Sequence, residues 1–329
     1  MNELSVNQLD IDYDRPINSR AKLDTGKLCN YSCDFCYYKN QLTERDTLKQ
    51  ITDRVDYLVA YGIEEIDLSG GESSVEPNWF NILEYCQDKF KRISCLSHGG
   101  KFSNIEFAKK SYDLGLREIL FSLHATTADT HDKIVGKKGA FDNILRAIDN
   151  AHQLGIEVRL NTTICELNYN NIDTQLMLGL KPTQINFIAL NYWQDNANGN
   201  IIDYAVVCDY VKQYIDQIQN SIEVNARYFP LCYMEGYANH VKGHYQHIYD
   251  LKDWNKAVYS GNLDTSKIYS QKQKVDQCLV EAENIRLQSY FKTVKCTGCK
   301  YFFVCDGIEN ELKGHVEPRP IDGYKIKCI

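Results

Sequence analysis

The sequence predicts an α/β fold built on a parallel β-sheet, and two observations carry this prediction. Apolar runs of strand length recur along the first two thirds of the chain, and a segment with helical periodicity follows each of them. The runs are apolar on both faces, as in strands that helices cover from both sides. This pattern is compatible with an open doubly wound sheet and with a full or partial barrel.

Six βα units account for most of the chain. The predicted strands are Arg20–Gly26, Ile63–Ser69, Arg92–Leu96, Glu118–Leu123, Val158–Thr163 and Gln184–Leu190. The predicted helices, which carry apolar residues at three- and four-residue steps, are Thr47–Tyr61, Trp79–Lys89, Asn104–Leu114, Phe141–Leu154, Ile172–Leu180 and Asp203–Ile218. The alternation stops after about residue 220. We therefore expect one domain over residues 1–220 and a smaller, turn-rich region over residues 221–329.

Composition and charge exclude several classes of protein. No run approaches the roughly 18 apolar residues that a membrane-spanning helix needs. The N-terminus lacks a basic stretch followed by an apolar one, so we expect no secretory signal and a cytoplasmic location. The 37 Lys and Arg against 44 Asp and Glu give a net charge of -7, the wrong sign for extended nucleic-acid binding.

The 13 cysteines are the unusual feature of the composition. In a reducing compartment they do not form a disulfide framework, so clustered cysteines indicate metal ligands or catalytic thiols.

The first cluster is Cys29-x3-Cys33-x2-Cys36, directly after the first predicted strand. Three thiolates can hold three corners of a [4Fe–4S] cube and leave one iron open, whereas a zinc site usually closes with a fourth ligand. No further Cys or His lies close in sequence to complete a local zinc site. Buried cysteines, or a zinc knuckle completed from elsewhere in the chain, are the alternatives.

This motif, with the aromatic Phe35 before its last cysteine, resembles the signature of the radical S-adenosylmethionine (radical SAM) superfamily. The segment Ser69–Glu72, at the end of the second predicted strand, is similar to the GGE element of that family. The resemblance covers about residues 22–220. It implies an α/β fold of the partial (β/α)6, TIM-like barrel type.

The resemblance also implies the cofactors and their contacts. Cys29, Cys33 and Cys36 would bind a [4Fe–4S] cluster whose open iron is chelated by SAM, and one-electron cleavage of SAM would give a 5′-deoxyadenosyl radical. The carboxylate of Glu72 would receive the ammonium of SAM. The residues implied in binding this cofactor are Phe35, Gly70, Gly71, Glu72, Ser122, His124 and Asn161. They fall near the C-terminal ends of successive strands, where barrel enzymes keep their chemistry.

Two departures from the family pattern stand near these motifs. Most relatives continue GGE with proline, but this chain has Ser73 and Ser74, so the turn after the carboxylate is expected to differ. His98 follows the third predicted strand, where Asn-Gly is common; a loop residue without a chemical role is favoured over one that faces the site.

The second cluster is Cys296-x2-Cys299-x5-Cys305, with Cys328 near the C-terminus. It resembles the auxiliary-cluster extension called SPASM or, in its shortened form, Twitch, which implies a second, auxiliary [4Fe–4S] cluster. A further cysteine of full SPASM domains is replaced here by Glu309, so we expect one auxiliary cluster. Zinc is the alternative metal. Cys278 and Cys232 are alternatives to Cys328 as fourth ligand.

Cys232 has a second possible role. It lies just after the predicted barrel, where a thiol could donate a hydrogen atom to a substrate radical, as in some family epimerases; packing between the two regions is the alternative. Four neighbours could contact a polar or anionic substrate: Arg227, Tyr228, Glu235 and Tyr237. His240 and His244 are interpreted as surface or substrate-wall residues rather than metal ligands.

The sequence thus predicts a radical SAM enzyme. It would abstract hydrogen from a peptide or protein, in a modification such as epimerisation or cross-linking. The alternative is the same chemistry on a small metabolite such as a sugar or nucleotide derivative. Only 28 residues precede Cys29, fewer than the leader-binding domain of many peptide-modifying relatives needs. A flavodoxin- or ferredoxin-type reductant is the expected partner. From another class, a non-catalytic iron–sulfur or zinc-binding protein remains open.

Overall fold

The computed structural model describes residues 11–39, 41–190, 192 and 202–321. Eight parallel strands form one curled sheet in which each strand pairs with the next along the chain. They are β1 (Arg20–Asp24), β2 (Glu65–Ser69), β3 (Arg92–Ser97), β4 (Leu116–Ser122), β5 (Glu157–Ile164), β6 (Gln184–Ala189), β7 (Glu223–Arg227) and β8 (Val241–Lys242). The curl brings the chain beyond β8 back to β1, where Arg20 and Trp254 form an isolated parallel bridge. The predicted barrel-like α/β fold is confirmed.

The prediction of six βα units was too short by two strands. The sheet continues past residue 220 into β7 and β8. β7 was missed because its inward-facing residues are Glu223, Asn225 and Arg227, and only Val224 and Ala226 face the apolar side. A strand that is polar on the barrel side lacks the continuous apolar run that marks a buried parallel strand. The division of the chain into two domains stays a prediction.

Helices cover the outer face of the sheet. They are α1 (Leu48–Tyr61), α2 (Trp79–Cys86), α3 (Ile105–Asp113), α4 (Ala128–Val135), α5 (Ala140–Leu154), α6 (Thr174–Gly179) and α7 (Tyr204–Ile218). Local sequence explains their ends: Thr47 caps α1 in a capping box, and Gly62 ends it in the left-handed region at φ 94°. Only α4 was not predicted, because polar residues fill most of its eight positions.

The C-terminal region packs against the open side of this sheet. It contains the short helix α8 (His244–His247), the long helix α9 (Gln271–Ser289) and a two-stranded antiparallel hairpin of β9 (Tyr290–Phe291) and β10 (Ile308–Glu309). In the part of the chain that the structure describes, no helix combines the length and the hydropathy required to cross a membrane.

Charged side chains fill the interior of the barrel. Arg20 Nη2 donates to Asp67 Oδ1 and to Glu118 Oε1, each at 2.6 Å. Arg159 Nη1 donates to the same Glu118 oxygen at 2.7 Å, and Arg159 also donates to Gln184 Oε1. All five side chains are buried. The network therefore joins β1, β2, β4, β5 and β6 from the inside.

We predict that Glu118→Ala lowers the free energy of unfolding by about 3–5 kcal/mol, because it leaves Arg20 and Arg159 buried without their shared carboxylate. Urea unfolding monitored by circular dichroism measures this. Asp53→Ala is the control, since it breaks the exposed Lys49–Asp53 pair and should cost less than about 1 kcal/mol. An equal loss of unfolding free energy in the two variants would contradict a structural role for the network.

Candidate functional site

The three cysteines of the first cluster lie on one loop, between β1 and α1, at the C-terminal rim of the sheet. Cys29, Cys33 and Cys36 are each half-buried. Burial, and then the neighbouring Cys36 and Cys29, raise the pKa of the Cys33 thiol to about 12. The three thiols therefore lie within electrostatic reach of one another. Bound iron would offset the cost of deprotonating these thiols, because metal coordination favours the thiolate.

The turn after β2 holds the start of the cysteine loop. Gly71 N donates to Gly26 O at 2.9 Å, and Glu72 N donates to Leu28 O at 2.7 Å. A Cβ atom at Gly71 would lie 2.3 Å from Leu28 O, and one at Gly70, where φ is 122°, would lie 2.0 Å from Gly26 O. Both glycines are thus required for close approach of the chain to itself. Their predicted contact with SAM is not tested by this observation.

The end of α4 holds the middle of the loop. Ser32 N donates to Val135 O and Asp34 N to Ile134 O, both at 3.1 Å. Gly136 follows in the left-handed region, and a Cβ atom there would lie 2.6 Å from Ser32 O. The sequence analysis missed these residues, and the signal available was the glycine just after an amphipathic turn.

Glu72 is buried, and its carboxylate is already held by the chain. Oε1 accepts hydrogen bonds from the hydroxyls of Ser97 at 2.8 Å and Ser74 at 2.5 Å. Oε2 accepts from the backbone N–H of His98 at 2.8 Å. Ser74 thus stabilises the turn that follows Glu72. The predicted contact between Glu72 and the ammonium of SAM stays a prediction.

His98 is buried against the cysteine loop. Its ring stacks on Tyr31, with centroids 3.6 Å apart and an interplanar angle of 8°. Its Nε2 lies 2.8 Å from Asn30 Oδ1. The sequence favoured a loop residue without a chemical role; the structure shows that His98 supports two residues between the first two cysteines.

Ser122 and Asn161 are adjacent on β4 and β5, as their register requires. The amide of Asn161 accepts a hydrogen bond from Asn186 Nδ2 at 2.8 Å. Both Ser122 and Asn161 are half-buried and lie on the barrel side, above the charged network. Their placement near the rim agrees with the predicted role as cofactor contacts, which stays a prediction.

His124 and Phe35 contact each other. Their rings meet edge to face, with centroids 4.8 Å apart, so His124 packs against the residue before Cys36. Burial, and then His131, lower the pKa of His124 to about 3, so its ring is neutral at physiological pH. Its Nδ1 accepts a hydrogen bond from Thr163 N at 3.2 Å. This geometry makes His124 a support of the cysteine loop.

Four cysteines of the C-terminal region line a separate, small cavity of about 20 Å³. Cys296, Cys299 and Cys305 come from the loop inside the β9–β10 hairpin, and Cys232 comes from the turn after β7. Burial raises the pKa of Cys232 to about 11, and the thiols of the other three contribute to this rise. The other walls are mainly aromatic and proline side chains: Phe291, Tyr301, Phe302, Pro318 and Pro320.

Of the other candidates for the fourth ligand, Cys278 does not line this cavity. Cys278 is buried on α9, where its thiol donates to Asn255 Oδ1 at 3.3 Å. Cys328 lies outside the described residues. The carboxylate of Glu309 accepts the backbone N–H of Tyr192 at 2.8 Å. Cys232, predicted as a catalytic hydrogen donor and as an alternative ligand, lies with the other cysteines of this cavity, and its catalytic role stays a prediction.

Both cysteine groups suit a cluster. Within the described ranges, no group of three or more His, Cys, Asp or Glu side chains is close enough to hold a single metal ion. A [4Fe–4S] cluster makes a different demand, because each thiolate binds its own iron. In the second group, the Cys299 sulfur accepts a weak hydrogen bond from Ile321 N, and the Cys296 sulfur shares one with the Thr293 hydroxyl; hydrogen bonds to sulfur tune such clusters.

Two of the four predicted substrate contacts are engaged in the fold. Arg227 forms a buried ion pair with Asp253. Tyr237 donates its hydroxyl to Asp216 on α7. The remaining two differ: Glu235 lines an open cleft beside Cys232, and Tyr228 lies inside the molecule near the barrel rim.

Glu309 predicts a pH dependence of stability. Burial raises the pKa of its carboxyl from 4.5 to about 7. The folded state therefore binds the proton more tightly than the unfolded state does. The resulting stabilisation of the fold is complete below about pH 4.5 and is lost as the pH rises through 7. Above pH 7, Glu309→Gln should be more stable than wild type by up to about 3 kcal/mol, with no difference near pH 4.5. Urea unfolding across this range measures it, with the exposed Glu311→Gln as control; a difference independent of pH would contradict the assignment.

Comparison with known proteins bears directly on the cysteine loop. Residues 24–176 match the model of the Radical SAM superfamily. The Fe-coproporphyrin III synthase of Methanosarcina barkeri is 32% identical over 151 residues, and the subtilosin biosynthesis protein AlbA of Bacillus subtilis is 27% identical over 181 residues. These matches cover 44% and 53% of this chain. The chain spans only 36% and 40% of the length of these two relatives.

The fold extends the likeness to the C-terminal region. The structure of SuiB from Streptococcus suis, bound to S-adenosylmethionine, superposes with a TM-score of 0.62 over 93% of this chain and 76% of that one, at 14% identity. Residues 24–176 therefore form a domain of the radical SAM superfamily, and the likeness to SuiB shows that the fold is similar over nearly the whole chain.

Proposed function

We propose that this chain is a radical SAM enzyme whose catalytic cluster is held by Cys29, Cys33 and Cys36. The observation that carries the proposal is their loop, which the turn after β2 and the end of α4 fix at the C-terminal rim of the sheet. When bound, the cluster and SAM supply a 5′-deoxyadenosyl radical that removes a hydrogen atom from an unactivated carbon. The match over residues 24–176 supports this assignment.

Residues of the chain itself would orient the three thiols and shield the site. The contacts of the cysteine loop with Gly26, Gly71, Val135 and His98 keep the three thiols in place before any cofactor binds, which reduces the cost of ordering them. Ser122 and Asn161 present polar groups near the C-terminal ends of β4 and β5. The barrel interior below them is filled by the paired charges of the network, which leaves the chemistry at the rim.

For the substrate, we propose a peptide or protein. In support, SuiB, which has a similar fold over nearly the whole of this chain, has also been crystallised bound to the precursor peptide SuiA. The competing proposal is a small molecule, which the similarity to Fe-coproporphyrin III synthase supports. We expect a flavodoxin- or ferredoxin-type protein to supply the electron.

For the second site, we propose one auxiliary [4Fe–4S] cluster with Cys232, Cys296, Cys299 and Cys305 as ligands. The cavity that these four thiols line supports the proposal. Four protein ligands leave no open iron for substrate, so the cluster would transfer electrons or stabilise the C-terminal region.

Anaerobically reconstituted protein, reduced with dithionite, should convert SAM to 5′-deoxyadenosine. Changing Cys29, Cys33 and Cys36 together to Ala should abolish this product and lower the iron content from about eight to about four per chain. Cys86→Ala, which removes a buried thiol far from both groups, is the control and should retain both properties. Wild-type protein that holds iron and releases no 5′-deoxyadenosine would instead support a non-catalytic iron–sulfur protein.

The fourth auxiliary ligand is tested in the triple Ala variant, where only the second cluster remains. Cys232→Ala should lower its iron content from about four to about three or fewer and change its EPR spectrum. Cys278→Ala should leave both unchanged. If Cys328→Ala lowered the iron content and Cys232→Ala left it unchanged, the fourth ligand would be Cys328. Zinc in place of iron would overturn the proposal of an iron–sulfur cluster.

A further inference from the structure

The side chains of Tyr37 and Tyr259 lie within electrostatic reach of each other, and the space that they border is called the recess. Tyr37 and Tyr259 are 41% and 45% exposed, and the surrounding protein raises the pKa of each. Each lies within electrostatic reach of Asp24 at the end of β1. Tyr259 also lies near Tyr228 and Asp253. Because Tyr37 follows Cys36 directly, this recess opens beside the proposed catalytic cluster.

Lys256 lies at the wall of this recess. Its side chain is 1% exposed, and its ammonium lies 5.1 Å from the ring centroid of Tyr259. Among the residues that the structure describes, no group forms a hydrogen bond or an ion pair with Nζ of Lys256. A buried ammonium without a partner is costly, and such groups are normally paired.

The two carboxylates within electrostatic reach of Lys256, Asp253 and Asp306, each form an ion pair with another cation. Asp253 forms its ion pair with Arg227, and its Oδ1 accepts the N–H of Trp254 at 2.7 Å. Asp306 accepts the backbone N–H of His244 through Oδ2, at 2.9 Å. Its Oδ1 lies 3.5 Å from Arg286 Nε.

His244 is a second buried group without a partner. It is 5% exposed, and neither ring nitrogen forms a hydrogen bond within the described residues. Its ring lies between Tyr228 and Tyr290, with centroids 5.6 and 5.5 Å away. Burial, and then the Lys256 ammonium, lower the pKa of His244, so this ammonium lies within electrostatic reach of the ring.

Tyr228 is held in an unusual backbone conformation at this point. Its φ of 64° lies in the left-handed region, which residues other than glycine rarely adopt. The chain thereby turns Tyr228 towards the histidines directly after β7. Such outliers are typical of functional sites, where the surrounding structure maintains them.

An ammonium and an imidazole N–H, both desolvated and flanked by tyrosine rings, are suited to an anionic oxygen group. We propose that Lys256 and His244 bind a carboxylate or phosphate group of the substrate; this rests on the proposed function, since it takes the recess to be the substrate site. The bound anion would supply the partner that both side chains lack. Its source is either a phosphate ester or a peptide or metabolite carboxylate.

The test uses reconstituted full-length protein and two probes, inorganic phosphate and acetate, at constant ionic strength. Isothermal titration calorimetry and thermal unfolding should detect binding of at least one probe to wild type. Lys256→Met should weaken that binding by at least about tenfold, which corresponds to the loss of one charge-assisted contact. Lys256→Arg and the control Lys252→Met, which removes an exposed ammonium paired with Glu223, should retain it.

A second readout does not require a ligand. Without anion, Lys256→Met should raise Tm by at least about 2 °C, because an unpaired buried charge is replaced by an apolar side chain of similar length. A lysine with a purely structural role would give a lower Tm. His244→Gln should weaken anion binding without abolishing it.

The outcomes distinguish a phosphate from a carboxylate ligand, and they test the anion site separately from the radical SAM assignment. Binding of phosphate alone indicates a phosphorylated substrate, and binding of acetate alone indicates a carboxylate. Equal affinity in wild type and Lys256→Met, or no binding of either probe, would overturn the anion site. Formation of 5′-deoxyadenosine by wild type is measured separately, so a failed anion site leaves the radical SAM assignment intact.

Discussion

The charged network inside the barrel is the constraint on which the rest of the molecule depends. A parallel sheet is normally apolar on both faces, but here Arg20, Asp67, Glu118 and Arg159 occupy the inner face. Each of these charges is expensive to bury alone, and together they satisfy one another across five strands. The strands are therefore joined from inside as well as by their backbone hydrogen bonds, and their C-terminal ends form a rim of defined geometry.

The cysteine loop uses that rim as its support. One side is bonded to the turn after β2, another to the end of α4, and the ring of His98 stacks on Tyr31 between them. Each contact needs a particular residue, such as glycine at position 71 or 136, where a Cβ atom would collide with backbone. The thiols are thus held by contacts that do not involve the cofactor. This arrangement is the preorganisation that a site for a reactive intermediate requires.

The region after β7 links the two cysteine groups. The turn that carries Cys232 reaches the C-terminal cavity, while Tyr228, only four residues earlier, faces the recess beside the first cysteine loop. His244 and Asp306 join these two areas through a hydrogen bond, and Asp306 directly follows Cys305. A substrate in the recess would therefore lie between the two proposed clusters, with Lys256 and His244 on the side of the auxiliary one.

The sequence by itself determined the order and type of the first six βα units and identified the radical SAM domain, and it predicted the first three cluster ligands, because these depend on local periodicity and spacing. The two last strands were missed, since the polar inner residues of β7 have a pattern that only a charged barrel interior explains. Tertiary structure alone decided which distant side chains meet. Cys232 lies 64 residues before Cys296, and His98 lies 67 residues after Tyr31, yet each pair shares one site. Such contacts depend on how the sheet curls and where its rim loops lie, and chain spacing carries no information about either.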